Sequence, residues 1–193
     1  ETWTNISPKD EQGYVPLEFS NISRVIADPD NSDIVLVSTY GSRNTGSRIY
    51  RSDDGGSTWS ERYFIAYANS ITGVQQIISS PNDFNIQYAA VNGIGVLRSE
   101  DGGISWSNPG GIGLASTVSY DNEDGIMSSG AGGTFGRLEL AVSHQNPNTV
   151  YAGIDGDDAS YLKVSYDGGT TWNMLRNDDN TEDENVSNSS KKV

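Results

Sequence analysis

Asp54, Asp101 and Asp167 hold the chain's most suggestive chemistry, because each stands in the same octapeptide, Ser-x-Asp-x-Gly-x-(Thr/Ser)-Trp. The copies run Ser52 to Trp59, Ser99 to Trp106 and Ser165 to Trp172. A carboxylate so placed has three uses. It can act on a glycosidic bond when a second carboxylate lies across that bond. It can join other oxygens around calcium. It can also accept hydrogen bonds from the N–H groups of its own turn. A residue repeated identically in equivalent turns cannot converge on one centre, which favours the third use. That use accounts for the other repeated positions too. Gly56, Gly103 and Gly169 supply positive φ, Ser52, Ser99 and Ser165 add a local polar contact, and Trp59, Trp106 and Trp172 cover the turn.

Other chemistry is sparse. His144 is the single histidine and there is no cysteine, so paired-histidine zinc sites, thiol catalysis and disulfide scaffolds are excluded. Nothing in the sequence asks for a cofactor. Two acidic turns, Asp121 to Gly125 and Asp155 to Asp158, are ordinary polar loops or clustered oxygens for calcium. Arg51 and Arg98 share one place in the repeat and read as scaffold.

Positioning these residues is the work of a longer repeat. Before each octapeptide an alternating apolar stretch runs into a proline turn at Pro29, Pro81 and Pro147, and a second apolar stretch follows. From turn proline to motif serine is 23, 18 and 18 residues, and the two complete periods are 52 and 66 residues. Each unit therefore reads as four strands, with proline kept to a connection because it cannot donate to a ladder. The Asp-Gly and Gly-Gly pairs mark tight hairpins. Four short antiparallel strands per unit is the blade of a β-propeller. The fold expected is all-β: a partial propeller of about three four-stranded antiparallel blades.

The three octapeptides resemble the Asp-box, or BNR, repeats of a family of β-propellers. That family includes sialidases, luminal propellers of sortilin-like receptors, some endoglucanases, a photosystem assembly factor and many secreted bacterial proteins. The resemblance covers about residues 20–175. It implies that the boxes lie at the blade periphery, away from the usual substrate face. It also implies a secreted or cell-surface protein, sortilin-like or sialidase-like, exported in the manner of type IX secretion substrates. A sialidase would further carry an Arg-Ile-Pro element, an arginine triad and a tyrosine–glutamate pair. Arg24-Val25-Ile26 is not that element. The expected function is thus a non-catalytic binding or adhesion propeller segment. The alternative is a fragment of an Asp-box glycoside hydrolase of sialidase or β-glucanase type.

Composition narrows the partners. Among 193 residues, 12 Lys and Arg stand against 26 Asp and Glu, a formal net charge of −14. Such a surface disfavours nucleic acid and anionic membranes, and no apolar run is long enough for a membrane helix. A protein or glycan partner is expected, together with remaining blades of the same protein, since propellers need about 4–8 blades. Residues 1–19 read as a lead-in, where Thr2-Trp3 echoes the Thr-Trp of the boxes as a strand closing another blade. Residues 20–175 form the blades, and 176–193 an acidic, Ser- and Asn-rich tail. Between the second motif tryptophan and the next turn proline lie 41 residues rather than 22, placing 19 extra within 108–136. A loop of that length on a rigid scaffold is either a variable connector or the first candidate for partner contact.

Overall fold

The computed structural model describes residues 2–7, 21–41, 46–65, 73–92, 94–109, 137–155 and 160–175. Among them there is no helix, and the strands form three antiparallel sheets in chain order. The first holds β1 (Ile22–Ala27), β2 (Val35–Thr39), β3 (Ser47–Ser52) and β4 (Ser60–Ile65). The second holds β5 (Gly73–Ser80), β6 (Asp83–Asn92) and β7 (Gly95–Ser99). The third holds β8 (Leu138–Val142), β9 (Val150–Asp155), β10 (Ser160–Ser165) and β11 (Asn173–Met174). Neighbours in each sheet are neighbours in sequence, so each is a meander, the form of a propeller blade. The chain is all-β, a partial β-propeller.

The second sheet departs from the expected four strands. Its outermost strand is reduced to one antiparallel bridge, Arg98 with Ser107. Proline at 109 follows at once, and proline cannot extend a ladder. Residues 2–7 form no strand, and Trp3 is fully exposed. The expected loop contact region at 110–136, the acidic turn at 121–125, residues 156–159 and the tail from 176 lie outside the described residues.

Period-two alternation decides which residues meet. In the second sheet, Val74, Ile77, Ala89, Val91 and Leu97 face the first sheet and pack with Leu36, Ile49 and Ile65. Tyr88, Ala90 and Val96 turn the other way and pack with Leu138, Leu140, Val150, Ala152 and Ile154 of the third sheet. The middle sheet is thus apolar on both faces, and each joint between sheets is one hydrophobic cluster.

Hydrogen bonds tie the second joint further. The Gln76 side chain donates from Nε2 to the Leu140 carbonyl at 3.2 Å, and its Oε1 accepts from the Leu140 N–H. Gln75 Oε1 accepts from the Leu138 N–H.

Register makes the sheets comparable position by position. Leu36 pairs with Arg51, Tyr88 with Arg98 and Tyr151 with Val164, each one step from the octapeptide serine. Leu36, Tyr88 and Tyr151 are therefore equivalent. So are Ile49, Val96 and Leu162, and on the opposite faces Val25, Ile77 and Leu140.

Candidate functional site

Each octapeptide closes a hairpin in which two successive glycines take positive φ: 68° and 91° at Gly55 and Gly56, 71° and 85° at Gly102 and Gly103, 67° and 87° at Gly168 and Gly169. The serine before the turn works in both directions. Its Oγ accepts from the second glycine's N–H at 2.8 Å in all three hairpins, at Gly56, Gly103 and Gly169. It donates to the aspartate Oδ1 at 2.8 Å for Asp54, 2.8 Å for Asp101 and 2.7 Å for Asp167.

The aspartate completes the loop. Its Oδ1 accepts the backbone N–H of Thr58, Ser105 or Thr171 at 2.8 Å. Its Oδ2 accepts the hydroxyl of the same residue at 2.7, 2.6 and 2.7 Å. Both carboxylate oxygens are thereby engaged within one turn. Donors aimed at an anion favour its charged form. The N–H and hydroxyl of Thr58, with the Ser52 hydroxyl, hold Asp54 below the ordinary carboxylate range. Burial would raise Asp101, but the hydroxyl and N–H of Ser105 and the hydroxyl of Ser99 outweigh it and lower the group. Asp167 falls to about 2, mainly through the hydroxyl and N–H of Thr171. A general acid needs the opposite shift. Among the described residues no three of His, Asp and Glu gather to hold a metal ion.

The tryptophans face the preceding unit. Trp106 packs on the cluster between the first two sheets, and Trp172 on the cluster between the second and third. Trp172 Nε1 donates to the Gly169 carbonyl at 3.0 Å, whereas Trp59 Nε1 donates to the Ile6 carbonyl, also at 3.0 Å. His144 is exposed, and its carbonyl accepts from Asn82 Nδ2 at 3.2 Å.

Each hairpin is also seated on the unit before it. Leu36 lies against the face of Gly103, and Tyr88 against that of Gly169, 3.4 Å from where a Cβ would stand. Ile6 fills the same place against Gly56. Arg51 reaches across the first joint, donating from Nη1 to the Gly102 carbonyl while Asp53 neutralises it. Arg98 lies against Gly168, 3.4 Å from where a Cβ would stand, and pairs with Glu100 at 3.0 Å. The third unit has Val164 and Tyr166 in place of arginine and acid. That departure is legible as Val-Ser-Tyr against Arg-Ser-Asp and Arg-Ser-Glu. The seat supplied by Ile6 carries no such signal, since nothing in Asn5-Ile6-Ser7 resembles β2 or β6.

No family model matches the chain. A xyloglucanase from a Paenibacillus species is 32% identical over 141 residues, which are 70% of this chain and 12% of that protein. The chain thus spans about an eighth of the length of this relative. Among solved structures, YCF48 from Cyanidioschyzon merolae is similar at a TM-score of 0.47 and 18% identity, over 80% of this chain and 37% of that one. A GH74 xyloglucanase from Xanthomonas campestris gives 0.36 and 19%, over 83% and 30%. An α-L-arabinofuranosidase from Fusarium graminearum gives 0.44 and 16%, over 79% and 47%. Among the described residues no helix is long and apolar enough to cross a membrane.

Proposed function

We propose that this chain is a non-catalytic, glycan-binding segment of a secreted or cell-surface propeller of the Asp-box type, its boxes serving as scaffold. One observation carries this reading: all three box carboxylates are consumed by their own hairpins and kept ionised there. They close turns, with both oxygens of each carboxylate engaged in holding the scaffold. Binding then falls to what the hairpins hold in place, with 108–136 the first candidate for contact. The similarity to a xyloglucanase supports a neutral β-glucan as the ligand class. The net charge of −14 points the same way, since an acidic surface repels anionic sialosides.

The same similarity favours a second reading, that the segment belongs to a glucan hydrolase whose catalytic carboxylates lie outside the boxes. Titrating the chain with xyloglucan oligosaccharides by calorimetry, while assaying new reducing ends, separates the two. Binding without release supports the scaffold reading. Release by the chain favours the hydrolase. Neither binding nor release removes β-glucan as the ligand. Shortening 110–133 should weaken binding while leaving the sheets folded, and unchanged affinity would clear that loop of a role.

A further inference from the structure

We infer that the outer face of the third sheet seats the first hairpin of a second copy of this chain, so that copies join head to tail. The joint required is already present twice within the molecule. On its giving side stand a β2-type residue and a β3-type residue, Leu36 with Ile49 and then Tyr88 with Val96, all buried. On its receiving side stand a Gly-Gly hairpin and an inner-strand residue, Gly102–Gly103 with Ile77 and then Gly168–Gly169 with Leu140. The chain carries one further copy of each half. Tyr151 and Leu162 occupy the giving positions, 36% and 48% exposed. Val25 occupies the receiving position beside the Gly55–Gly56 hairpin, 55% exposed.

The second copy is the occupant because its first sheet brings the receiving residues in the register that the internal joints use. Such an interface is heterologous: two different patches meet, and repetition closes a ring or extends a row. Two features adapt it to meeting between molecules. Val164 and Tyr166 replace the arginine–acid pair of Arg51 with Asp53 and Arg98 with Glu100, so the hairpin brings no arginine–acid pair to this face, where Glu139 of β8 stays paired with Arg137. Ile6, itself half exposed, holds the seat over Gly56 that Leu36 and Tyr88 hold over Gly103 and Gly169. In the assembly, Tyr151 of the first copy takes that seat and Ile6 of the second copy withdraws.

Sedimentation equilibrium of the full 193-residue chain over a wide concentration range tests this. The unmodified chain should self-associate. Tyr151→Asp with Leu162→Asp, and separately Val25→Asp, should each weaken association on the order of thirtyfold or more, the effect of losing an interface anchor. Mixing the two variants should restore a one-to-one pair, because each retains the half the other lost, and circular dichroism of each variant alone checks its sheets. Ile6→Gly should tighten association by vacating the seat. A monomer at every concentration overturns the proposal, as does association unmoved by both variants or weakened by Ile6→Gly. None of these outcomes bears on glucan binding, which the calorimetry reads separately.

Discussion

Tyr88 and Tyr151 are the same amino acid at the same register position of adjacent sheets, yet one is wholly buried and the other more than a third exposed. Each sits one step from its octapeptide serine in an equivalent strand pair, Tyr88 opposite Arg98 and Tyr151 opposite Val164. What differs is the neighbour: Tyr88 has the third sheet over it, and Tyr151 has no sheet over it among the described residues. The hairpins behave in the opposite way. Their hydrogen bonds repeat to within a tenth of an ångström whether the hairpin is seated by Ile6, Leu36 or Tyr88. Turn chemistry is therefore complete within one sheet, the first glycine's N–H donating to the Asp33, Asn85 or Asn148 carbonyl of the same unit, whereas joint chemistry needs two sheets.

The sharpest test of that contrast is truncation at the paired tyrosines. Tyr88→Ala should destabilise the chain by about 4 kcal/mol, as for a large aromatic removed from a core. Tyr151→Ala should lower the stability of the single chain by only about 1 kcal/mol. Urea unfolding of the two variants side by side gives both values, and equal losses would erase the distinction.

A second pair of variants asks whether identical turns tolerate change differently. Gly103→Ala forces a Cβ into Leu36 and Gln87 at positive φ, so strain and overpacking add to about 3 kcal/mol. In Gly169→Ala the nearest atom, on Tyr88, sits at ordinary contact distance, leaving only the backbone penalty of about 1 kcal/mol. Thermal unfolding midpoints would rank them. Within the second joint, Gln76→Leu leaves the buried N–H and C=O of Leu140 without their amide partner. The expected loss is about 2 kcal/mol, read best as faster amide exchange in β8.

The smallest effect belongs to the turns themselves and depends on pH. Asp167 has a folded pKa of about 2 against an ordinary 3.8. Its stabilising contribution is present above the ordinary value and fades as pH falls from there towards 2. The Thr171 amide, protected at neutral pH, should lose protection across that window. In Asp167→Asn the pH dependence should vanish.

Spacing made the sheets legible. Pro29, Pro81 and Pro147 fall in the first connection of each unit, and apolar alternation marks β1, β5 and β8. Those signals are local, written in proline's missing donor and in period-two burial. The reduced outer strand of the second sheet was not legible, because Ser105-Trp106-Ser107 looks like the start of the other two. The seat provided by Ile6 escaped for a different reason, being a contact across fifty residues with no motif at either end. As for the candidate site, the octapeptides located the three turns, but only coordinates show which atoms the aspartates engage. The uncovered Tyr151 and Leu162 were hidden too. An apolar strand reads the same whether or not another sheet lies on it.

The two glutamines of β5 carry a consequence for solubility. As the terminal strand of its sheet, β8 presents backbone N–H and C=O groups that could template a foreign strand, the usual first step towards fibrous aggregates. Gln76 occupies both such groups of Leu140, and Gln75 takes the N–H of Leu138. An intruding strand would have to evict both side chains before forming its first ladder bond. A pair of amides that helps hold two sheets together thereby also guards an open edge.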